Sequence, residues 1–113
     1  MLVEDEHEEA GLYPRLHQRT QHFITVQWTY IRDDNWMPVD HFLLEYNSSH
    51  DPEYIHTELQ RSERVYTIND CIPGSKYCIR VTSIDINGKV IIRAKPLIVE
   101  TSAPVERPVL MLL

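Results

Sequence analysis

Hydrophobic and polar residues alternate along most of the chain, which is the pattern of β-strands that bury one face. The alternation is clearest over residues 23–30, 39–46 and 77–85. Shorter extended segments cover 54–59, 65–68 and 90–101, and the last is broken near Pro96. The positions that we expect to face the core are Ile24, Val26, Trp28, Phe42, Leu44, Tyr77, Ile79 and Val81.

Turn-forming residues separate these segments. Residues 32–38, 47–52 and 69–74 are rich in Asp, Asn, Ser, Pro and Gly and are expected to be loops, and Asn87-Gly88 is a strong hairpin signal. The helical period is absent apart from a weak trace over 53–64, where Ile55 and Thr57 favour extension. The pattern predicts an all-β domain of about seven short strands, arranged as an antiparallel sandwich or barrel.

Several segments taken in order resemble a known family. The segments are Ile24-Thr25-Val26-Gln27-Trp28, then Phe42-Leu43-Leu44-Glu45-Tyr46, then Ile68 to Gly88 with Pro73-Gly74-Ser75-Lys76-Tyr77, then Pro96 to Thr101. Together they resemble a fibronectin type III domain over about residues 14–103. The resemblance implies an immunoglobulin-like antiparallel β-sandwich of seven strands. We expect this domain to span 12–103, between an acidic disordered leader (1–11) and an exit linker and tail (104–113).

The resemblance also implies roles for two aromatic residues. Trp28 would fill the centre of the sandwich, and Tyr77 would form a tyrosine corner whose hydroxyl bonds upstream, near Cys71. Cys71 stands where the family usually has leucine, and we read it as a small buried hydrophobe. The first strand, around residues 12–16, is weakly defined, so its register is left open.

Composition and charge argue against two classes of function, nucleic-acid binding and membrane insertion. The 113 residues include 11 basic and 17 acidic ones, and the net charge of −6 argues against direct binding to nucleic acid. No apolar run approaches the length of a membrane span, and the first residues lack the basic and apolar regions of a signal peptide. We therefore expect no membrane insertion.

Catalytic and ligand sites are not predicted. The six histidines do not share a motif spacing with a nucleophile, and three glycines cannot build a phosphate loop. The run Glu4-Asp5-Glu6-His7-Glu8-Glu9 is typical of a solvated tail rather than a metal site. The sequence predicts a protein that is not an enzyme, has no cofactor or metal, and is unsuited to small molecules.

Another protein is the expected partner. Trp36 and Met37 lie in the loop after the first core strand (the B–C loop in the family's nomenclature), where Trp36 either caps the core or anchors a partner. The F–G hairpin at 86–90 should project from the same end. A second candidate is the outer sheet face, with Leu43, Cys78, Arg80, Thr82 and Ile84 and one of Ile91 or Ile92. Sheet edges are also open to strand addition.

The sequence gives opposing signals about the cellular compartment of the protein. Cys71 should point inward and Cys78 outward, so a disulfide between them is not expected, and unpaired thiols suit a reducing compartment. Asn47-Ser48-Ser49 is a glycosylation sequon in an expected surface loop, which favours secretion. We favour an intracellular scaffold or regulatory protein. An extracellular adhesion or receptor module and a structural spacer are the alternatives.

Overall fold

Eight β-strands form two antiparallel sheets in the computed structural model, which describes residues 9–104. The strands are β1 (Gly11–Arg19), β2 (Ile24–Ile31), β3 (His41–Ser48), β4 (Asp51–Gln60), β5 (Val65–Ile68), β6 (Lys76–Ile84), β7 (Val90–Arg93) and β8 (Leu97–Glu100). One sheet has the order β1-β2-β5, and the other has the order β4-β3-β6-β7, with β8 also paired to β6. Most of the expected acidic leader and all but Pro104 of the expected tail lie outside the described residues.

The expected β-sandwich is confirmed, with one difference in strand count. Strands β7 and β8 occupy the segment expected to be one strand broken near Pro96, and both pair with β6. Ala94 to Pro96 separates them, since proline cannot donate to the ladder. Strand β1 pairs with β2 from Gly11 opposite Ile31 to Arg19 opposite Ile24, with a bulge after Leu16, which fixes the register that the sequence left open.

One expected loop is instead a tight hairpin. Residues 47–52 were expected to be a loop, but Asn47 and Ser48 end β3, while Asp51 and Pro52 begin β4. Ser49 and His50 alone form the turn, and both His50 and Asp51 donate their N–H groups to the Ser48 hydroxyl. Strand β4 is therefore longer than the expected 54–59, and its proline is tolerated because β4 is an edge strand.

The core lies between the sheets and contains every residue expected there. All eight are buried: Ile24, Val26, Trp28, Phe42, Leu44, Tyr77, Ile79 and Val81. The rings of Trp28 (β2) and Phe42 (β3) meet edge to face across the sandwich, with centroids 5.8 Å apart. Aromatic pairs of this geometry add about 0.5–1.5 kcal/mol beyond area burial, so this contact ties one sheet to the other.

The tyrosine corner lies at the end of the core next to the β3–β4 turn, where Tyr77 pairs with Ser48. The Tyr77 hydroxyl accepts a hydrogen bond from the Ile72 N–H at 2.8 Å, which is the upstream bond that the resemblance implied. Gly74 adopts a φ of 64°, a conformation that costs side-chain-bearing residues energy, and its N–H donates to the Ser102 carbonyl. Cys71 is buried beside this turn, as expected.

Candidate functional site

Two connections meet at one end of the sandwich and form what we call the loop end, residues 32–40 and 85–89. The Asp40 N–H donates to the Ile84 carbonyl at 2.8 Å, which ties the first connection to the end of β6. In the hairpin, the Asp85 carboxylate accepts the N–H groups of Asn87 and Lys89 at 2.8 and 2.9 Å. Gly88 has a φ of 83°, as the Asn-Gly signal predicted.

Trp36 lies half-buried at the loop end and covers the core. Its ring packs on Tyr30 at a centroid distance of 6.3 Å, and Tyr30 in turn meets Phe42 edge to face at 5.4 Å. The Trp36 N–H donates to the Asp33 carbonyl, and the Arg32 guanidinium donates to the Trp36 carbonyl at 2.6 Å. Trp36 is therefore a cap on the core, and its exposed remainder is available for contact.

Apolar side chains of the loop end, and of the strand that follows it, are open to solvent. Met37 is 47% exposed, and in and beside the hairpin Ile86 is 71% and Val90 is 48% exposed. Asp34 and Asp40 are also exposed, and so are Arg32 and Lys89, so the loop end combines apolar groups with charges of both signs. Met37 and Ile86 lie on two connections at the same end of the sandwich, which makes the loop end a candidate contact surface.

The outer face of the larger sheet is less apolar than the sequence led us to expect. Its cross-strand pairs run Leu43 with Thr82, Glu45 with Arg80, and Asn47 with Cys78. The charged pair thus lies between Leu43 and Cys78, and the expected contiguous apolar stripe is interrupted. Thr82 points outward as predicted but is only 1% exposed.

Charged and aromatic side chains hold one another on this face. The Arg80 guanidinium lies 4.1 Å from the centre of the Tyr54 ring and donates to the Glu45 carboxylate at 3.4 Å. His56 Nδ1 lies 2.9 Å from the other carboxylate oxygen of Glu45. The Tyr54 hydroxyl donates to the Cys78 sulfur at 3.7 Å, and this hydrogen bond raises the pKa of Tyr54. We call these five residues the outer cluster.

The remaining predicted positions on that face are partly covered. Leu43 and Ile84 are half-buried, and His41 is the cross-strand neighbour of Ile84. Ile91 rather than Ile92 continues the outer face, because Ile92 pairs with the buried Ser83 and packs on the core. Arg80 and Cys78 are engaged within the chain, whereas Ile98 on β8 (opposite Cys78) and Val90 on β7 (opposite Ile84) are the exposed apolar residues of this face.

The outer face of the smaller sheet is polar and internally bonded. The Thr25 and Thr67 hydroxyls are 2.8 Å apart, and Arg15 donates to the side chains of Thr29 and Gln27. Because these groups already have partners, this face is a weaker candidate for recognition than the loop end.

One serine–histidine pair has the geometry of a nucleophile and base. His50 Nε2 lies 2.8 Å from the Ser75 hydroxyl. Ser75 is only 2% exposed, and its hydroxyl also donates to the Pro73 carbonyl, so a substrate cannot reach it. Its N–H donates to the Thr101 hydroxyl at 2.9 Å, which fits a structural role under the tyrosine corner.

Residues 9–104 carry neither a metal-binding cluster nor a membrane-spanning helix. No group of three His, Cys, Asp or Glu side chains there is arranged to hold a metal ion. That part of the chain also contains no helix long and apolar enough to cross a membrane. The acidic run with His7 lies outside the described residues, apart from Glu9.

Sequence reasoning missed most of the outer cluster. Glu45 and His56 face each other because the hairpin turn is at Ser49-His50 and because the pairing of β3 with β4 shifts register between Tyr46 and Ser48. Tyr54 reaches Cys78 on the same face. A two-residue turn at positions 49–50 without that shift would pair Glu45 with Tyr54, so the sequence could signal the turn but not the contact with His56.

The sequon residue is engaged in the same hairpin. Asn47 is half-buried on β3, and its side-chain amide donates to the Pro52 carbonyl at 2.9 Å. The expected position in a surface loop is therefore wrong, since Asn47 and Ser48 belong to a strand and only Ser49 lies in the turn.

Two facing antiparallel sheets with this strand order define an immunoglobulin-like β-sandwich. The sequence matches the family model of the Fibronectin type III domain over residues 14–100. The chain therefore belongs to the fibronectin type III family, whose domains are commonly non-catalytic interaction or spacer modules.

Solved structures agree on the fold. The chain is similar to the fn3 domain of human contactin 1, with a TM-score of 0.68 and 13% identity over 84% of this chain and 78% of that one. It is also similar to the FN5 domain of Drosophila Lar, with a TM-score of 0.61 and 15% identity over 80% and 92%. A redesigned β-sandwich protein is also similar, with a TM-score of 0.71 and 16% identity over 84% of this chain and 91% of that one. No curated protein matches the sequence.

Proposed function

We propose that this domain is a non-catalytic protein-interaction module of a larger intracellular scaffold or regulatory protein, and that it binds its partner through the loop end. The observation that carries the proposal is the exposure of Met37 and Ile86 on the two connections of the loop end, the first of which holds the half-buried Trp36. Trp36 rests on Tyr30, so the surface is already ordered before a partner arrives. A preformed apolar patch loses little conformational entropy on binding.

The outer sheet face is the weaker of the two surfaces. Arg80 and Cys78 are held by Tyr54 and Glu45, and a partner would have to replace those contacts before gaining its own. Removing a nearly buried carboxylate such as Glu45 from its partners is costly. Leu43 and Ile84 remain as half-buried contributors at the side of the face.

The intracellular context rests on the two thiols. Cys71 is buried and Cys78 is half-buried, and neither forms a disulfide. Cys71 packs in the core and Cys78 lies on the outer face of the larger sheet, and two unpaired thiols suit a compartment that keeps thiols reduced. The engaged amide of Asn47 also supports this context. Mass spectrometry of protein from its native source should show Asn47 without a glycan. A glycan on Asn47 would favour the extracellular alternative.

Affinity capture with matched variants tests the binding surface. Ile86→Asp places a charge in the loop end, and Ile98→Asp places the same charge on β8, where Ile98 is 61% exposed. Partners captured by the native domain and by Ile98→Asp should be lost with Ile86→Asp, with affinity falling about tenfold or more. Equal capture by all three proteins would reject the loop end, and the absence of any specific partner would favour a spacer.

A further inference from the structure

Strand β4 presents a long open edge. It pairs with β3 at Asp51 and from Ile55 to Gln60, with a register shift between them, and within residues 9–104 no strand pairs with its other side. An edge of this length leaves a row of backbone N–H and C=O groups that another extended chain can meet.

The charge on β4 is of one sign. Asp51, Glu53 and Glu58 are all exposed, and the strand contains no lysine or arginine. The opposite edge of the same sheet, at β7, carries positive charge, because Arg93 and Lys95 lie there. A chain that adds to β4 is therefore favoured when it carries positive charge.

A cavity adjoins this edge. Its volume is about 270 Å³, and its apolar and aromatic lining comes from Tyr46, Ile55, Ile68 and Tyr77. Carboxylates of Asp51, Glu53 and Asp70 also line it. Ile55 is 52% exposed in the middle of β4. A lysine or arginine fits such a cavity, with its methylene stem on the apolar wall and its charge near the carboxylates.

A second copy of this chain is disfavoured on the same edge. Two copies of β4 that paired edge to edge would bring together two strands that each carry Asp51, Glu53 and Glu58 and no lysine or arginine. Like charges directly opposite one another destabilise a strand pair. The carboxylates that repel a second copy attract a basic strand.

We propose that β4 is a docking edge for an extended, lysine- or arginine-bearing segment of a partner protein, which adds to the sheet as a further strand and places one basic side chain in the adjoining cavity. This edge is distinct from the loop end. Its occupancy does not depend on the proposed role of Ile86 and Met37.

A peptide titration tests the proposal. The probe is a synthetic peptide of alternating lysine and valine, about as long as β4. We expect it to slow hydrogen exchange of β4 amides in the isotope-labelled domain. In Glu53→Lys/Glu58→Lys the affinity should fall about tenfold or more. The control variant Asp34→Lys/Glu100→Lys makes the same change in net charge away from β4. Its affinity for the peptide should fall less than about twofold.

Backbone pairing is tested separately. The same peptide with alternate amide nitrogens methylated keeps its charge but cannot complete the strand ladder, and it should bind about tenfold more weakly or worse. The proposal is overturned by equal binding of the methylated peptide, by equal losses in both charge variants, or by no binding. Dimerisation with β4 protected in the absence of peptide would instead identify a second copy as the occupant.

Discussion

Removing the Tyr77 hydroxyl should destabilise the domain without disturbing its packing. In Tyr77→Phe the ring keeps its place beside Tyr46, whose ring centre lies 6.4 Å away, but the acceptor of the Ile72 N–H is lost. An unpaired, partly buried donor costs about 1–3 kcal/mol. Because the Ile72 side chain is exposed, water can reach part of this turn, so we expect the lower half of that range, about 1–1.5 kcal/mol.

Chemical denaturation of the two proteins measures this loss. The midpoint should fall at an unchanged slope, and the melting temperature should fall by roughly 4–8 °C per kcal/mol for a domain of this size. Hydrogen exchange adds a local readout, because the Ile72 amide should exchange much faster in Tyr77→Phe while amides in the middle of β2 change only with global stability.

Tyr66→Phe is the matched control. Tyr66 is half-buried on β5, and its hydroxyl has no hydrogen-bond partner within residues 9–104, so the change should cost less than about 0.5 kcal/mol. A loss below about 0.3 kcal/mol for Tyr77→Phe, or an equal loss in the control, would refute the role given to the corner hydroxyl.

Two further predictions concern ionisable groups. Burial raises the pKa of the Cys71 thiol above 9.0 and that of the Tyr77 phenol above 10.0, so the folded state holds both groups neutral. The stability that the neutral Cys71 and Tyr77 side chains contribute is fully present below their usual pKa values. It is lost as the pH rises through the raised pKa values of the folded state. Denaturation midpoints should therefore fall above about pH 9, less steeply in Cys71→Ala; a flat profile to pH 11 would contradict this. Separately, Tyr54→Ala uncovers the Cys78 sulfur, and thiol-labelling rates at Cys78 should rise several-fold while Cys71 stays unreactive. Unchanged labelling of Cys78 would show that Tyr54 does not shield it.

The alternation of apolar residues predicted the core because burial on one face of a strand is a local pattern. Trp28 and Ile79 could be assigned from their own neighbours, and Asn87-Gly88 fixed a hairpin because only certain residues accept its backbone angles. Tyr77 was assigned from the family resemblance, and its bond to Ile72 bears out that assignment.

The outer cluster could not be read in the same way. Its members come from three strands, and their contacts depend on where the β3–β4 turn falls and on a register shift between Tyr46 and Ser48. Polar residues around positions 47–52 are typical of a loop, but the Ser48 hydroxyl closes a two-residue turn instead. The charged pair of Glu45 and Arg80 thus interrupts a face that looked apolar from parity alone.

Chemical-shift mapping with the captured partner is the most direct test of the loop end as the binding surface. In a titration of the isotope-labelled domain, we predict that the largest amide chemical-shift changes fall at residues 32–40 and 85–89, while the amides of β8 and of the tyrosine corner keep their shifts. Shifts centred on β1, β8 or the outer cluster, with the loop end silent, would contradict the account.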